Sequence, residues 1–190
     1  VTLGETTYTL PKPFFVLATQ NPIEQEGTYP LPEAQLDRFL MKLKIPYPEN
    51  HEELEILRRM GTEKNIQVKK VLDAEKILEL RHTCSAVRVD PRIEEYIVSL
   101  ITATRSGDRS KYPFVRFIEY GASPRATIYL FRCAKIFAAF SGRSYVVPDD
   151  VKAVAYDVLR HRLVLSYEAE SEELKSEQVI EQILNIIPVP

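Results

Sequence analysis

The chain has 190 residues, 45% hydrophobic and 27% charged, the make-up of an ordinary globular protein with room for one good core or two small ones. Its formal net charge of -2 argues against a dedicated nucleic-acid binder, though a local basic patch stays possible. No apolar run approaches the roughly 18 residues of a membrane span, and no signal peptide opens the chain. Cys84 and Cys133 have neither metal nor redox spacing. They read as small buried hydrophobes of a reducing compartment, and the cytoplasm is the expected location.

The first residue is Val rather than Met and the opening is strand-like, so the chain is expected to be a fragment. Val1-Thr2-Leu3 and Thr7-Tyr8-Thr9-Leu10 flank Gly4-Glu5 and read as half of a β-hairpin whose partner lies upstream. Phe14-Phe15-Val16-Leu17-Ala18 is a continuous apolar run, the pattern of a strand buried on both faces of a parallel sheet. A second strand is expected around Met41–Pro46. Two strands do not make a stable parallel sheet, so their neighbours are expected upstream.

From residue 49 onward the periodicity is helical. Helices are predicted over Glu52–Met60 and Asp73–Ala86, from Asp90-Pro91 through Ile101, from Ser123-Pro124 to about Phe140, from Val147-Pro148 to about Arg162, and over Glu172–Ile187. The acidic run Glu168 to Glu173 reads as a solvated linker. The expected fold is mainly α, with a small incomplete α/β part over residues 1–48 and a helical domain over 49–190.

Three segments can carry chemistry. Thr19-Gln20-Asn21-Pro22 follows the apolar strand, where ligands of open α/β sheets sit. Asn21 there either holds a water beside a phosphate or simply turns the chain before Pro22. Leu31 to Phe39 reads as a short helix that faces Leu36 and Phe39 inward. Its Arg38 either offers a fixed fork of donors to a phosphate or pairs at the surface with Glu33 or Asp37. In Gly121-Ala122-Ser123-Pro124-Arg125, Ser123 suits an N-cap and Pro124 the first turn. That puts Arg125 where the helix dipole mildly disfavours a cation. The placement makes sense if an anion is shared by Arg125 and free backbone N–H groups; otherwise Arg125 points into solvent. The three histidines form no cluster, so no metal site is expected.

The unbroken string from Ala18 to Phe39, together with Gly121-Ala122-Ser123-Pro124-Arg125-Ala126 and Val147 to Arg162, resembles the MoxR family of AAA+ ATPases in order and spacing, over nearly the whole chain. The resemblance implies the end of a P-loop AAA+ core (hairpin, sensor 1 strand, finger helix, last strand) followed by an α-helical lid bundle. It implies that Asn21 is the sensor 1 residue, Arg38 an arginine finger reaching a neighbouring subunit's ATP site, and Arg125 the sensor 2 residue. ATP and Mg2+ are the implied cofactors of the full-length protein, which would act as a hexameric ring beside a von Willebrand factor A domain protein. The sequence departs from the family in one large respect: none of its six glycines forms a Gly-x-x-x-x-Gly-Lys-Ser/Thr loop, and the acidic magnesium-binding motif is absent too. The chain alone is therefore expected to be inactive and to bind neither cofactor tightly. Two other readings compete. One is a free-standing helical interaction module. The other is a single-strand nucleic-acid binder using the basic and aromatic residues between Arg105 and Phe117, a mixture that more often marks a loop whose aromatics pack on the domain.

Overall fold

The computed structural model describes residues 2–20, 31–61 and 67–190, which divide into two compact units. The first unit takes in residues up to Phe14 together with Leu43–Glu79; the second takes in Phe15–Lys42 and Leu80–Pro190.

In the first unit, β1 (Thr2–Leu3) and β2 (Thr6–Thr7) pair antiparallel with each other, Thr2 opposite Thr7 and Leu3 opposite Thr6. The expected hairpin is thus closed within the chain rather than with an upstream partner. Gly4 explains this: at the first central position of the two-residue loop it adopts φ 61°, which primed hairpin turns require and side chains resist. α2 (Asn50–Met60) opens where the Glu52 carboxylate accepts the Glu49 amide at 2.9 Å, and it carries acidic residues in its first turn and arginines in its last. Its apolar residues Leu54, Ile56, Leu57 and Met60 remain exposed. α3 (Ala74–Ser85) follows an Asp73 side chain that accepts the Lys76 amide at 2.8 Å; the division between the units falls within this helix.

The second unit holds the core. α4 (Pro91–Ala103), α5 (Pro124–Phe140), α6 (Pro148–Leu159) and α8 (Ser176–Ile186) pack together, burying Ile97, Leu100, Leu130, Val151, Val158 and Ile183 almost completely. Alanines 126, 134 and 138 line the buried stripe of α5, and their small side chains let its neighbours approach closely. α6 is capped from its own first turn. The Asp150 carboxylate accepts the Val147 amide at 2.8 Å and is itself held by Arg143. A short antiparallel pair, β3 (Ile118–Tyr120) with β4 (Val164–Leu165), closes one side.

Several sequence expectations change here. Phe14–Ala18 forms no strand and stays open to solvent, with Phe15 79% and Leu17 78% exposed, because no strand among the described residues lies beside it to complete a ladder. Met41–Pro46 is not a strand either. The main-chain groups of Lys42 are used by the end of α6 instead: its N–H donates to the Asp157 carbonyl (2.9 Å) and its carbonyl accepts from Arg160 Nη1 (2.8 Å). The last predicted helix forms as α8, starting at Ser176 rather than Glu172, and an additional short helix, α7 (Tyr167–Ser171), takes up part of the supposed acidic linker. Between them Glu173 turns left-handed (φ 55°) and the Leu174 amide returns to the Ala169 carbonyl (2.9 Å), the pattern that stops a helix. Two of the three aromatics of the Arg105–Phe117 segment sit in a 3-10 turn over Pro113–Phe117, Phe114 fully buried and Phe117 4% exposed, while Tyr112 precedes the turn and is half-buried. Packing therefore accounts for these two rings, which offer no face on which a base could stack. Cys133 is buried and Cys84 half-buried, and burial pushes the Cys133 thiol up to about 11, so it is inert as a nucleophile.

Candidate functional site

The site lies within the second unit, where the turn after α1 (Glu33–Leu36) meets the start of α5 and the end of α6. Its centre is Asp37. Gly121 prepares the entry to α5 by close approach: a Cβ there would collide with the Thr104 carbonyl, and the Thr104 hydroxyl accepts the Ala122 amide at 3.0 Å. Ser123 then caps α5, its hydroxyl accepting the Arg125 amide at 3.2 Å, with Pro124 at the first helical position.

That hydroxyl donates onward to the Asp37 carboxylate, 2.8 Å from the nearer oxygen. Arg125 reaches the same carboxylate through Nη1 at 3.0 Å, and Arg162 reaches it from the other side through Nε at 3.0 Å. The anion seen at this helix start is the Asp37 carboxylate. It is bound through Ser123 and Arg125 side chains rather than through free amides, since Pro124 has no N–H and that of Arg125 is already taken.

The two arginines are not equivalent. The Arg162 side chain is wholly buried, whereas that of Arg125 is 49% exposed. Arg162 also donates to the main-chain carbonyls of Asp37 (3.0 Å), Leu40 (3.3 Å), Phe39 and Val158, and its guanidinium lies 4.9 Å from the centre of the Tyr129 ring. Arg125 Nε and Nη2 have no partner among the described residues. Burial alone would raise the Asp37 carboxyl, but the Ser123 hydroxyl and the two guanidiniums together hold it below its usual value.

Two further residues of α6's end fasten the same segment. Arg160 holds the Lys42 carbonyl while pairing with Asp157 at 2.9 Å and Glu177 at 3.2 Å. His161 Nε2 lies 3.2 Å from the Phe39 carbonyl, and a carbonyl can only accept, so the ring is protonated at Nε2 and bare at Nδ1. Burial first, then the neighbouring Arg162 charge, pushes the His161 pKa down to about 4 and keeps the ring neutral.

Of the sequence candidates, Arg38 and Arg125 are brought to one place. Arg38 sits on the turn just past α1, exposed, with its carbonyl accepting from the Tyr129 hydroxyl (3.4 Å) and its guanidinium unpartnered among the described residues. The surface pairing of Arg38 with Glu33 or Asp37 does not form; Asp37 is engaged elsewhere. Asn21 lies outside the described residues. Sequence reasoning missed Asp37, Tyr129 and Arg162 as parts of one constellation. Their only shared signal was that Asp37 and Arg162 both fall in the strings that carry the family resemblance.

The class of this bundle and of the segment before it follows from the families they match, an AAA lid joined to the end of an AAA core. Residues 116–183 match the AAA lid domain, and residues 1–41 match the ATPase family associated with various cellular activities (AAA). Chaperone MoxR1 of Mycobacterium tuberculosis is 43% identical across all of this chain and 50% of its own length. Protein MoxR of Methylorubrum extorquens is 32% identical over 92% of this chain and 55% of its own. A solved structure provisionally named an ATPase, from Cytophaga hutchinsonii, superposes with a TM-score of 0.91 at 48% identity, covering 100% of this chain and 58% of that one. The chain belongs to the MoxR-type AAA+ ATPases. It spans about half the length of the curated relatives it matches.

Proposed function

We propose that the full-length protein hydrolyses ATP as a hexameric ring to remodel or activate partner proteins, a von Willebrand factor A domain protein among them. In this reading Asn21 is sensor 1 and places the attacking water. Arg38 is the arginine finger that neutralises developing charge on the phosphoryl group at a neighbour's site. Arg125 is sensor 2. The domain division near residue 48 belongs to the same proposal, and the separate matches over residues 1–41 and 116–183 are consistent with it.

The observation that carries the reading is the pair of guanidiniums: Arg38 is exposed and unpartnered, and Arg125 is half-exposed with two nitrogens unpartnered, both among the described residues. Arg125 and Arg162 face the one Asp37 carboxylate and Arg38 follows it in the chain, so the patch carries surplus positive charge suited to a polyphosphate. A finger acting across subunits requires a head-to-tail contact, which closes into a ring or runs on as a filament. Among the described residues no group of three or more His, Cys, Asp and Glu is arranged to hold a metal ion.

The test is ATP turnover by the 190 residues beside turnover by the protein with its upstream sequence. Turnover in the longer form alone, lost in Arg38→Ala while ATP still binds, is the expected result. No turnover in the longer form would sink the enzyme reading and favour a helical interaction module.

A further inference from the structure

The unequal hold on the two arginines of Asp37 has a chemical consequence. Arg162 cannot leave: its side chain is buried, and five protein oxygens receive its donors. Arg125 can. It touches Asp37 through a single nitrogen at 3.0 Å, is half open to solvent, and stands on the first turn of a 17-residue helix. An exposed, one-contact ion pair contributes little, and a phosphate offers the same fork two charged oxygens in plane. When Arg125 departs, Asp37 keeps the Arg162 ion pair and the Ser123 hydroxyl, so no buried charge is stranded.

We propose that Asp37 is a parking site for Arg125: without nucleotide the carboxylate holds the arginine, and a nucleotide phosphate competes for it and takes it away. Asp37 is a positioning residue, since it meets the phosphate only through Arg125. Arg38 is the next residue in the chain, and its backbone is bound by the same assembly, the Tyr129 hydroxyl on its carbonyl and Arg162 on the carbonyls either side of it. The release of Arg125 therefore takes place one residue from the proposed finger. A nucleotide arriving at Arg125 changes the charge beside Arg38 while Arg162 keeps the backbone fixed.

This inference rests on the ATPase reading above, and its sign separates it from that reading. A carboxylate that merely positioned Arg125 would lower nucleotide affinity when removed; a competing carboxylate raises it. In the full-length protein, direct fluorescence titration with a slowly hydrolysed ATP analogue should give an affinity about two- to fivefold tighter in Asp37→Asn than in wild type, the range set by a half-exposed pair. Arg125→Met should bind more weakly, and Asp37→Asn in that background should give no gain. Unchanged or weaker binding by a folded Asp37→Asn overturns the proposal. Should Asp37→Asn fail to fold, the structure of the wild-type complex decides: the Arg125–Asp37 contact is open and the Arg162–Asp37 contact closed, or the proposal is wrong. A wild type that binds no nucleotide at all is the separate failure of the ATPase reading.

Discussion

Arg162→Met is the substitution whose cost follows most directly from the geometry. The side chain that it removes is wholly buried, donates to the Asp37 carboxylate and to four main-chain carbonyls, and lies against Tyr129. Methionine fills much of the volume, so the penalty is electrostatic rather than a cavity. Breaking a buried pair by deleting one partner costs about 3–5 kcal/mol. Asp37 keeps Ser123 and Arg125 and its side chain is 16% exposed, which places the loss near the lower limit, about 3 kcal/mol. For a chain of this length that corresponds to a fall in melting temperature of roughly 6–12 °C. Urea unfolding with near-ultraviolet dichroism is the assay, since the tyrosines of this unit report its packing. Asp37→Asn and the double variant complete a cycle, with an expected coupling of about 1–3 kcal/mol for contacting residues. A loss below about 1 kcal/mol for Arg162→Met, or strictly additive losses in the cycle, would refute the view of Arg162 as the fixed anchor.

Two other outcomes follow from the same unit. His161 is held neutral in the fold with a pKa of about 4, below the ordinary 6.5 that it regains on unfolding. The unfolded state therefore takes a proton first as pH falls, and stability is full above about pH 6.5, drops between there and about pH 4, and is level below, by about 1–2 kcal/mol after allowance for solvent screening; His161→Gln should remove that slope in unfolding measured across the window. Gly121→Ala forces a methyl group against the Thr104 carbonyl at the entry to α5, and thermal melting should fall by the equivalent of about 1–3 kcal/mol, with Gly107→Ala, where a Cβ meets open space, as the near-neutral control.

How much of this was legible in the sequence divides along physical lines. Features set by neighbours in the chain were readable: Ser123 and Pro124 fix the start of α5, Asp90 and Pro91 that of α4, and both caps form as the residues imply. Features that need a distant partner were not. The apolar run at Phe14–Ala18 has strand chemistry but a strand is a relation between segments, and no ladder forms beside it among the described residues. The stop at Glu173 was hidden because a left-handed residue is usually signalled by Gly or Asn, and here it is Glu.

The candidate site divides in the same manner. Arg38 and Arg125 could be singled out because each sits in a local setting, a short helix end and a capped first turn, that makes a cation informative. Asp37 could not. In the sequence it is one acid beside one arginine, and the natural inference is that the two neutralise each other. The structure reverses the pairing: Asp37 turns to Arg162 and Arg125, 125 and 88 residues away, and so leaves Arg38 unpartnered among the described residues. Adjacent residues on a turn past a helix end point in different directions, so sequence neighbours of opposite charge are poorly placed to pair. The availability of Arg38 for a phosphate is thus a property conferred by α5 and α6, through the partners they supply to the residue before it. A substitution in those helices that frees Asp37 would threaten the proposed finger without touching it.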